Sequence, residues 1–372
     1  MAKGLSLFTS GNDIALCVFE QVYDHYPLSI GQLRLVSRRC RHLADSFFFR
    51  SIRLYDQDLP PNLNAVNGHI IRRLLDSEDV LSRYVWHFRL DRFFPGTELS
   101  TLDSPAVLEQ IVSNLNSPRT FHLSGAYGMS ENTAILIQEK WPQCRLFITN
   151  DIYGTAGGRN PPGIFTVVEH HLAVQLYYLD YTASHRRPLG AADGVSEYRN
   201  MYRQDFLRLT KLLMRLKNLK VLKVAEMCLP SRSSGAPISM NLQLQLGERL
   251  PPLEELYFGR GMLEFNQEFC VQLRESIDKT TLRRLDLGRR CPHHVLKELK
   301  GRLPNLKSLR FALNIYDSDS GYRPNGAVPD YWTNEQCGSV DIVRGHVPYV
   351  VASSHSETAW AYSADTGYPE QN

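Results

Sequence analysis

Residues 216–224 read LKNLKVLKV, with Leu216, Leu219, Leu222 and Val224 as the apolar positions of an apolar-x-x-apolar-x-x-apolar-x-apolar frame. The same frame returns as LPPLEELYF with Leu250, Leu253, Leu256 and Phe258, and as LPNLKSLRF with Leu303, Leu306, Leu309 and Phe311. TLRRLDL supplies Leu282, Leu285 and Leu287. Looser copies stand upstream, with Val85, Phe88 and Leu90, then Pro118, Phe121 and Leu123. Two more carry Trp141, Cys144 and Phe147, and Ala173, Leu176, Leu179 and Tyr181. Helical patterns such as SPAVLEQIVSNL and NQEFCVQLRESI fill the intervals. A short strand followed by a helix, repeated at irregular spacing, cannot bury its apolar face alone, whereas stacked copies share one core. The fold class expected over residues 57–313 is therefore an α/β repeat, an irregular solenoid of strand–helix units. The alternative is an ordinary α/β domain with leucine-rich strands.

In such a solenoid the strands line a concave face, and the residues between the anchors point into it. Lys217, Lys220, Lys223, Arg283, Arg284, Lys307 and Arg310 occupy those positions beside Glu254 and Glu255. They are the candidate substrate-binding residues, and they predict that the C-terminal half of the concavity is basic on balance.

The charge map outside this zone is uneven. The whole chain of 372 residues has a formal charge of only +3, but residues 312–372 hold eight acids against Arg323 and Arg344, which is −6 and leaves +9 for the rest. Hydrophobic residues at 43 % and charged residues at 22 % are ordinary for a globular chain. That excludes global disorder, a coiled coil and binding to nucleic acid through bulk charge; interleaved acids also argue against a nucleic-acid partner. No apolar run approaches the roughly 18 residues of a membrane span, and no signal peptide is expected from the short Gly4–Phe8 stretch. Seven scattered cysteines without a CxxC pair fit reduced thiols, hence a cytoplasmic or nuclear setting. The segment 314–372, acidic and aromatic-containing, reads as a C-terminal cap or tail. Its alternatives are plain disorder or a gate over the basic face, and SVDIVRGHVPYVVAS within it predicts a strand or hairpin.

At the other end, Asn12 or Asp13 can cap a helix presenting Ile14, Val18 and Val22, which Tyr26-Pro27 ends. Ser29 can open a second stretch with Leu33, Leu35 and Val36, continuing through Cys40, Leu43, Ala44 and Phe47. Such wide apolar faces on a short segment need a partner or the next domain to cover them. The stretch DIALCVFEQVYDHYPLSIGQLRLVSRRCRHLADSFFFRSIRL resembles the F-box motif of fungal proteins. Leu33–Arg39, Leu43-Ala44 and Phe49–Leu54 carry the resemblance. Ser10-Gly11 stand where that family has Leu-Pro, and Asp13 replaces its Glu. The resemblance implies a three-helix module over residues 8–56 that docks on a Skp-type adaptor and through it a cullin. Ile14, Val18, Phe19, Leu28, Leu33 and Val36 would then be the adaptor-binding residues. An F-box followed by leucine-rich repeats implies a non-catalytic subunit of an SCF-type ubiquitin ligase, with the repeats holding an unidentified protein substrate. The alternative is a binding module whose helices only cap the repeats.

No catalytic, cofactor or metal site is expected. GTAGGRNPPG at Gly154–Gly163 lacks the Gly-Lys-Ser/Thr ending of a phosphate loop and reads as a surface loop. The pairs His170-His171 and His293-His294 place neighbours on opposite sides of the backbone with no third ligand at a usable spacing.

Overall fold

A computed structural model of the chain describes residues 7–55, 61–91, 105–124, 129–150, 167–184, 204, 206–227, 242, 244–245, 247–259, 267–288, 293–312 and 350–353. It is a mixed α/β structure. Three helices come first, α1 (Leu7–His25), α2 (Ser29–Val36) and α3 (Arg38–Phe48). Nine strands then pair in sequence order, every pair parallel: β1 (Ser51–Tyr55), β2 (His87–Asp91), β3 (Thr120–Ser124), β4 (Arg145–Asn150), β5 (Leu176–Ser184), β6 (Val221–Met227), β7 (Glu255–Phe258), β8 (Arg284–Asp286) and β9 (Ser308–Ala312). A tenth, β10 (Val350–Ser353), adds parallel to β9 at the far edge, a strand where SVDIVRGHVPYVVAS predicts a strand or hairpin. The rest of the segment, like Gly154–Gly163, lies outside the described residues.

Parallel neighbours need a crossover between them, and helices supply most of these. They are α4 (Pro61–Leu75), α5 (Leu81–Tyr84), α6 (Pro105–Asn114), α7 (Glu131–Lys140), a π-helical turn Val168–Leu172, a helix over 206–213, α8 (Gln267–Ser276) and α9 (His293–Leu299). One register row of the sheet runs Leu54, Leu90, Leu123, Ile148, Leu179, Leu222, Leu256, Leu285, Leu309, and all nine are buried. These side chains share one core with Leu74, Ile111, Leu115, Ile137, Leu213 and Leu273 from the crossovers. Among the described residues the helices therefore cover one face of the sheet, and alternation along each strand leaves polar and aromatic residues on the other.

Side-chain donors clasp five of the crossovers to the one before. Asn114 Nδ2 donates to Leu74 O at 2.9 Å, Trp141 Nε1 to Leu115 O at 3.1 Å and Gln175 Nε2 to Trp141 O at 2.6 Å. Asn218 Nδ2 donates to Val174 O at 2.8 Å and Asn305 Nδ2 to Thr280 O at 2.6 Å. Each bond satisfies a carbonyl left over at the end of a helix or turn.

Several expectations shift by a few residues. Helix α1 begins at Leu7, more than a turn before the expected cap at Asn12 or Asp13, and Ser29 lies inside α2 rather than capping it. The apolar run through Cys40 is broken at Ser37, whose extended backbone (φ −161°, ψ 164°) starts α3 and whose Oγ accepts from Cys40 N. Residues 51–55, counted with the helical module by the division at 56, form β1 and pair along β2, with Ile52 and Leu54 in the large core. In β4, Leu146 and Ile148 are buried while Phe147, an expected anchor, faces out. A one-residue slip in a strand exchanges its faces.

Candidate functional site

The α1–α3 module closes around a small core of Phe19, Ile30, Ala44 and Phe47, with Val22, Tyr23, Leu33, Cys40 and Leu43 packed against it. Phe19 and Phe47 stack at 6.2 Å between ring centroids. That core uses up only part of the apolar surface. Ile14, Leu16, Val18, Tyr26, Leu28, Leu35, Val36 and Phe48 stand exposed, eight of the eleven exposed large apolar residues among those described. Among the expected adaptor-binding residues, Ile14, Val18, Leu28 and Val36 are on the surface, from 54 % to 78 % exposed. Phe19 is not: it is 7 % exposed and belongs to the module's own core, so it cannot offer its ring to a partner without opening the helices. Leu33 is half-buried against the same core.

Arg50 joins this module to the sheet. Its guanidinium lies 4.4 Å from the ring centre of Phe47, 5.2 Å from Tyr23 and 4.0 Å from Trp86. Arg119 covers Trp86 at 3.7 Å, so two guanidiniums hold one indole. The Arg50 carbonyl accepts from Trp86 N and His87 N, which carries the sheet ladder back to the end of α3. Burial lowers the Arg50 pKa, opposed by Tyr23 and Glu20 nearby, and its Nε has no hydrogen-bond partner. The rings around it supply the compensation.

The open face of the sheet carries two rows of outward side chains. The first runs Arg53, Arg89, His122, Phe147, Tyr178, Val221, Glu255, Arg284, Ser308. The second runs Asp91, then Ser124, Thr149, Asp180, Lys223, Tyr257, Asp286, Arg310, in step with the first from strand to strand. In the middle, Phe147 and Tyr178 stack at 5.7 Å and His122 lies 6.1 Å from Phe147. Lys223 Nζ sits over both Tyr178 (5.3 Å) and Tyr257 (5.1 Å). His122 Nε2 is 2.9 Å from Thr149 Oγ1, and burial pushes its pKa down to about 4. Tyr257 donates to Glu255, and burial together with that carboxylate raises the phenol.

At the two ends of the face, arginines meet carboxylates. Asp91 accepts from Arg53 and from Arg89 Nε. Arg284 lies 3.6 Å from Glu255, and Arg310 lies 3.9 Å from Asp286, whose carboxyl is raised by burial. Of the seven basic residues read as facing the substrate, Lys223, Arg284 and Arg310 are on this face. Lys217, Lys220, Arg283 and Lys307 precede their strands in the turns, where Lys220 reaches Glu254 at 3.8 Å and the other three are exposed. Among the described residues the face is thus charge-paired around an aromatic centre, and its C-terminal half, with Lys223, Arg284 and Arg310 against Glu255 and Asp286, keeps a slight excess of bases. The aromatic centre was present in the sequence as alternate strand residues, but the β4 slip hid Phe147 among the anchors.

Among the described residues no three His, Cys, Asp or Glu side chains come together as a metal site, and no helix is long and apolar enough to cross a membrane. His171 is engaged instead with Glu131 at 3.0 Å. Cys17, Cys40, Cys144 and Cys270 are free thiols. No protein-family model matches the chain, and no curated protein is similar to it.

Proposed function

We propose that this chain is the substrate-recognition subunit of an SCF-type cullin–RING ubiquitin ligase, an F-box protein with a leucine-rich-repeat solenoid. The observation that carries the reading is the concentration of exposed apolar side chains on α1–α3, a module whose own core is already complete without them. A surface of that kind is expected to be covered by a partner. In this reading Ile14, Val18, Leu28 and Val36 meet the Skp-type adaptor, and the strictly sequential parallel strands are the solenoid, its open face holding the substrate. The subunit does no chemistry itself; it raises the local concentration of substrate lysine near a ubiquitin-charged conjugating enzyme. The strand β10 and its flanks serve as the cap of the last repeat. A cytoplasmic or nuclear setting follows from the partners.

A second reading has one observation in its favour. Arg50 bolts the helical module to the first strands through Tyr23, Phe47 and Trp86, as a purely structural cap would need. Co-purification separates the two. The full chain mixed with a purified Skp-type adaptor at micromolar concentration gives a stoichiometric complex if the ligase reading holds. Ile14→Asp with Leu28→Asp abolishes that complex while leaving the far-UV spectrum unchanged, because both side chains are exposed. Absence of a wild-type complex leaves the cap reading.

A further inference from the structure

The ion pairs on the open face are layered. The side chains of Arg53, Arg89, Arg284 and Arg310 are 39–47 % exposed, while those of their partners Asp91, Glu255 and Asp286 are 6–25 % exposed. Formal charges nearly cancel, yet an approaching molecule meets the cations first. A carboxylate set beneath its arginine orients the guanidinium and stands farther from an approaching ligand than the cation does, so the attraction falls off less than the repulsion. Two such cationic ends flank the half-buried centre formed by Phe147, Tyr178, Lys223 and Tyr257.

The spacing of these features sets a length. The Arg53/Arg89 pair sits on β1 and β2 and the Arg284/Arg310 pair on β8 and β9. Seven inter-strand steps at about 4.8 Å separate them, about 34 Å, which is the reach of about ten extended residues. We propose that the open face binds an extended segment of another protein, about ten residues long, with carboxylates at both ends and an aromatic or aliphatic residue in the middle. The terminal carboxylates bridge the arginine pairs in the bidentate manner a guanidinium favours. The middle residue packs on Tyr178 and Phe147, the kind of aromatic anchor that dominates peptide recognition. This deepens the substrate half of the function proposed above, but it does not depend on the adaptor half.

The test uses the full-length protein as bait for a displayed library of random 12-residue peptides. Counter-selection is against the Arg89→Glu, Arg284→Glu, Tyr178→Ser variant, which alters only side chains on the open face. The expected peptides carry acids near both ends and an apolar residue between. Their synthetic versions bind wild type at least tenfold tighter than the variant and lose at least tenfold between 50 and 300 mM salt. Replacing the peptide's acids by lysine abolishes binding. Enrichment of neutral or basic peptides, equal capture by the variant, or no enrichment at all overturns the proposal. So does tight binding of a random single-stranded 20-mer oligonucleotide that displaces the peptides. Failure here with an intact adaptor complex removes only this inference, and the adaptor experiment fails independently of it.

Discussion

Gly288 and Gly301 have the same left-handed backbone, φ +67° in both, but very different surroundings. A Cβ at Gly301, just beyond α9, would meet nothing within 4 Å. A Cβ at Gly288, just beyond β8, would lie 2.4 Å from Phe258 O and 2.9 Å from Gly259 O. A relaxed carbon–oxygen contact is about 3.3 Å, so the backbone at one of these positions must move by about 1 Å. Gly301→Ala therefore costs only the left-handed strain, roughly 1–2 kcal/mol. Gly288→Ala adds to the same strain a backbone displacement of the overpacking kind, roughly 1–3 kcal/mol. The shift also disturbs the bond from Gly288 N to Asp286 Oδ1 at 2.9 Å. The expected total is roughly 2–5 kcal/mol, at its upper end among the larger effects of a single substitution. Gly259→Ala provides a third case without the strain, since its Cβ would meet Ala225 Cβ at 2.5 Å and Ala225→Gly should relieve it. Urea unfolding of the full chain, followed by far-UV circular dichroism and tryptophan fluorescence, measures all four variants. If Gly288→Ala costs within about 0.5 kcal/mol of Gly301→Ala, the close approach of β7 and β8 described here is wrong.

Three further outcomes follow from particular side chains. The His122 pKa is about 4 in the fold against an ordinary 6.5, so its neutral form is favoured; the stability it contributes is full above about pH 6.5 and fades as pH falls toward 4. Between pH 7 and pH 5 wild type should lose about 2 kcal/mol more in urea than His122→Gln, and equal losses would remove His122 as the cause. Burial raises the Cys144 and Cys270 thiols to about 12, so at pH 8 an alkylating reagent should label exposed Cys17 in the native protein long before either of them. Trp86→Ala removes two cation–π contacts and the surface they bury, which should cost about 2–4 kcal/mol and expose the Arg50 peptide bond to trypsin. Unchanged tryptic maps would mean the stack does not hold the module to the sheet.

The anchor frame was legible where leucine filled it, as in 216–224, 250–258 and 303–311, because those positions recur with one spacing and every described one but half-buried Leu303 is buried. It misled where aromatic and aliphatic residues alternate without gaps. RLFIT at 145–149 offers an apolar residue to both faces, and only the pairing with β3 decides that Leu146 and Ile148 go in. Ile52 and Leu54 were drawn to the helical module because sequence adjacency is visible and sheet pairing is not. The layering of charge on the open face was hidden for a different reason. Charges count equally in a sequence, whereas the burial of Asp91 beneath Arg53 and Arg89 is a property of three strands side by side. Phe19 shows the same limit at smaller scale: the periodicity marks a stripe on α1 but cannot say that α3 covers it through Phe47.

Among the described residues, every strand is paired with its sequence neighbours alone. Such an arrangement has a mechanical consequence. Tension applied between the first and last strands loads the seams in series, so each seam bears the whole force and none is shielded by a neighbour. Extension at constant speed should then open the sheet as a train of small ruptures, each releasing one strand and its crossover, in place of a single high peak. The weakest seams would yield first whatever their position, and relaxation would let each close again on the template of the strand beside it.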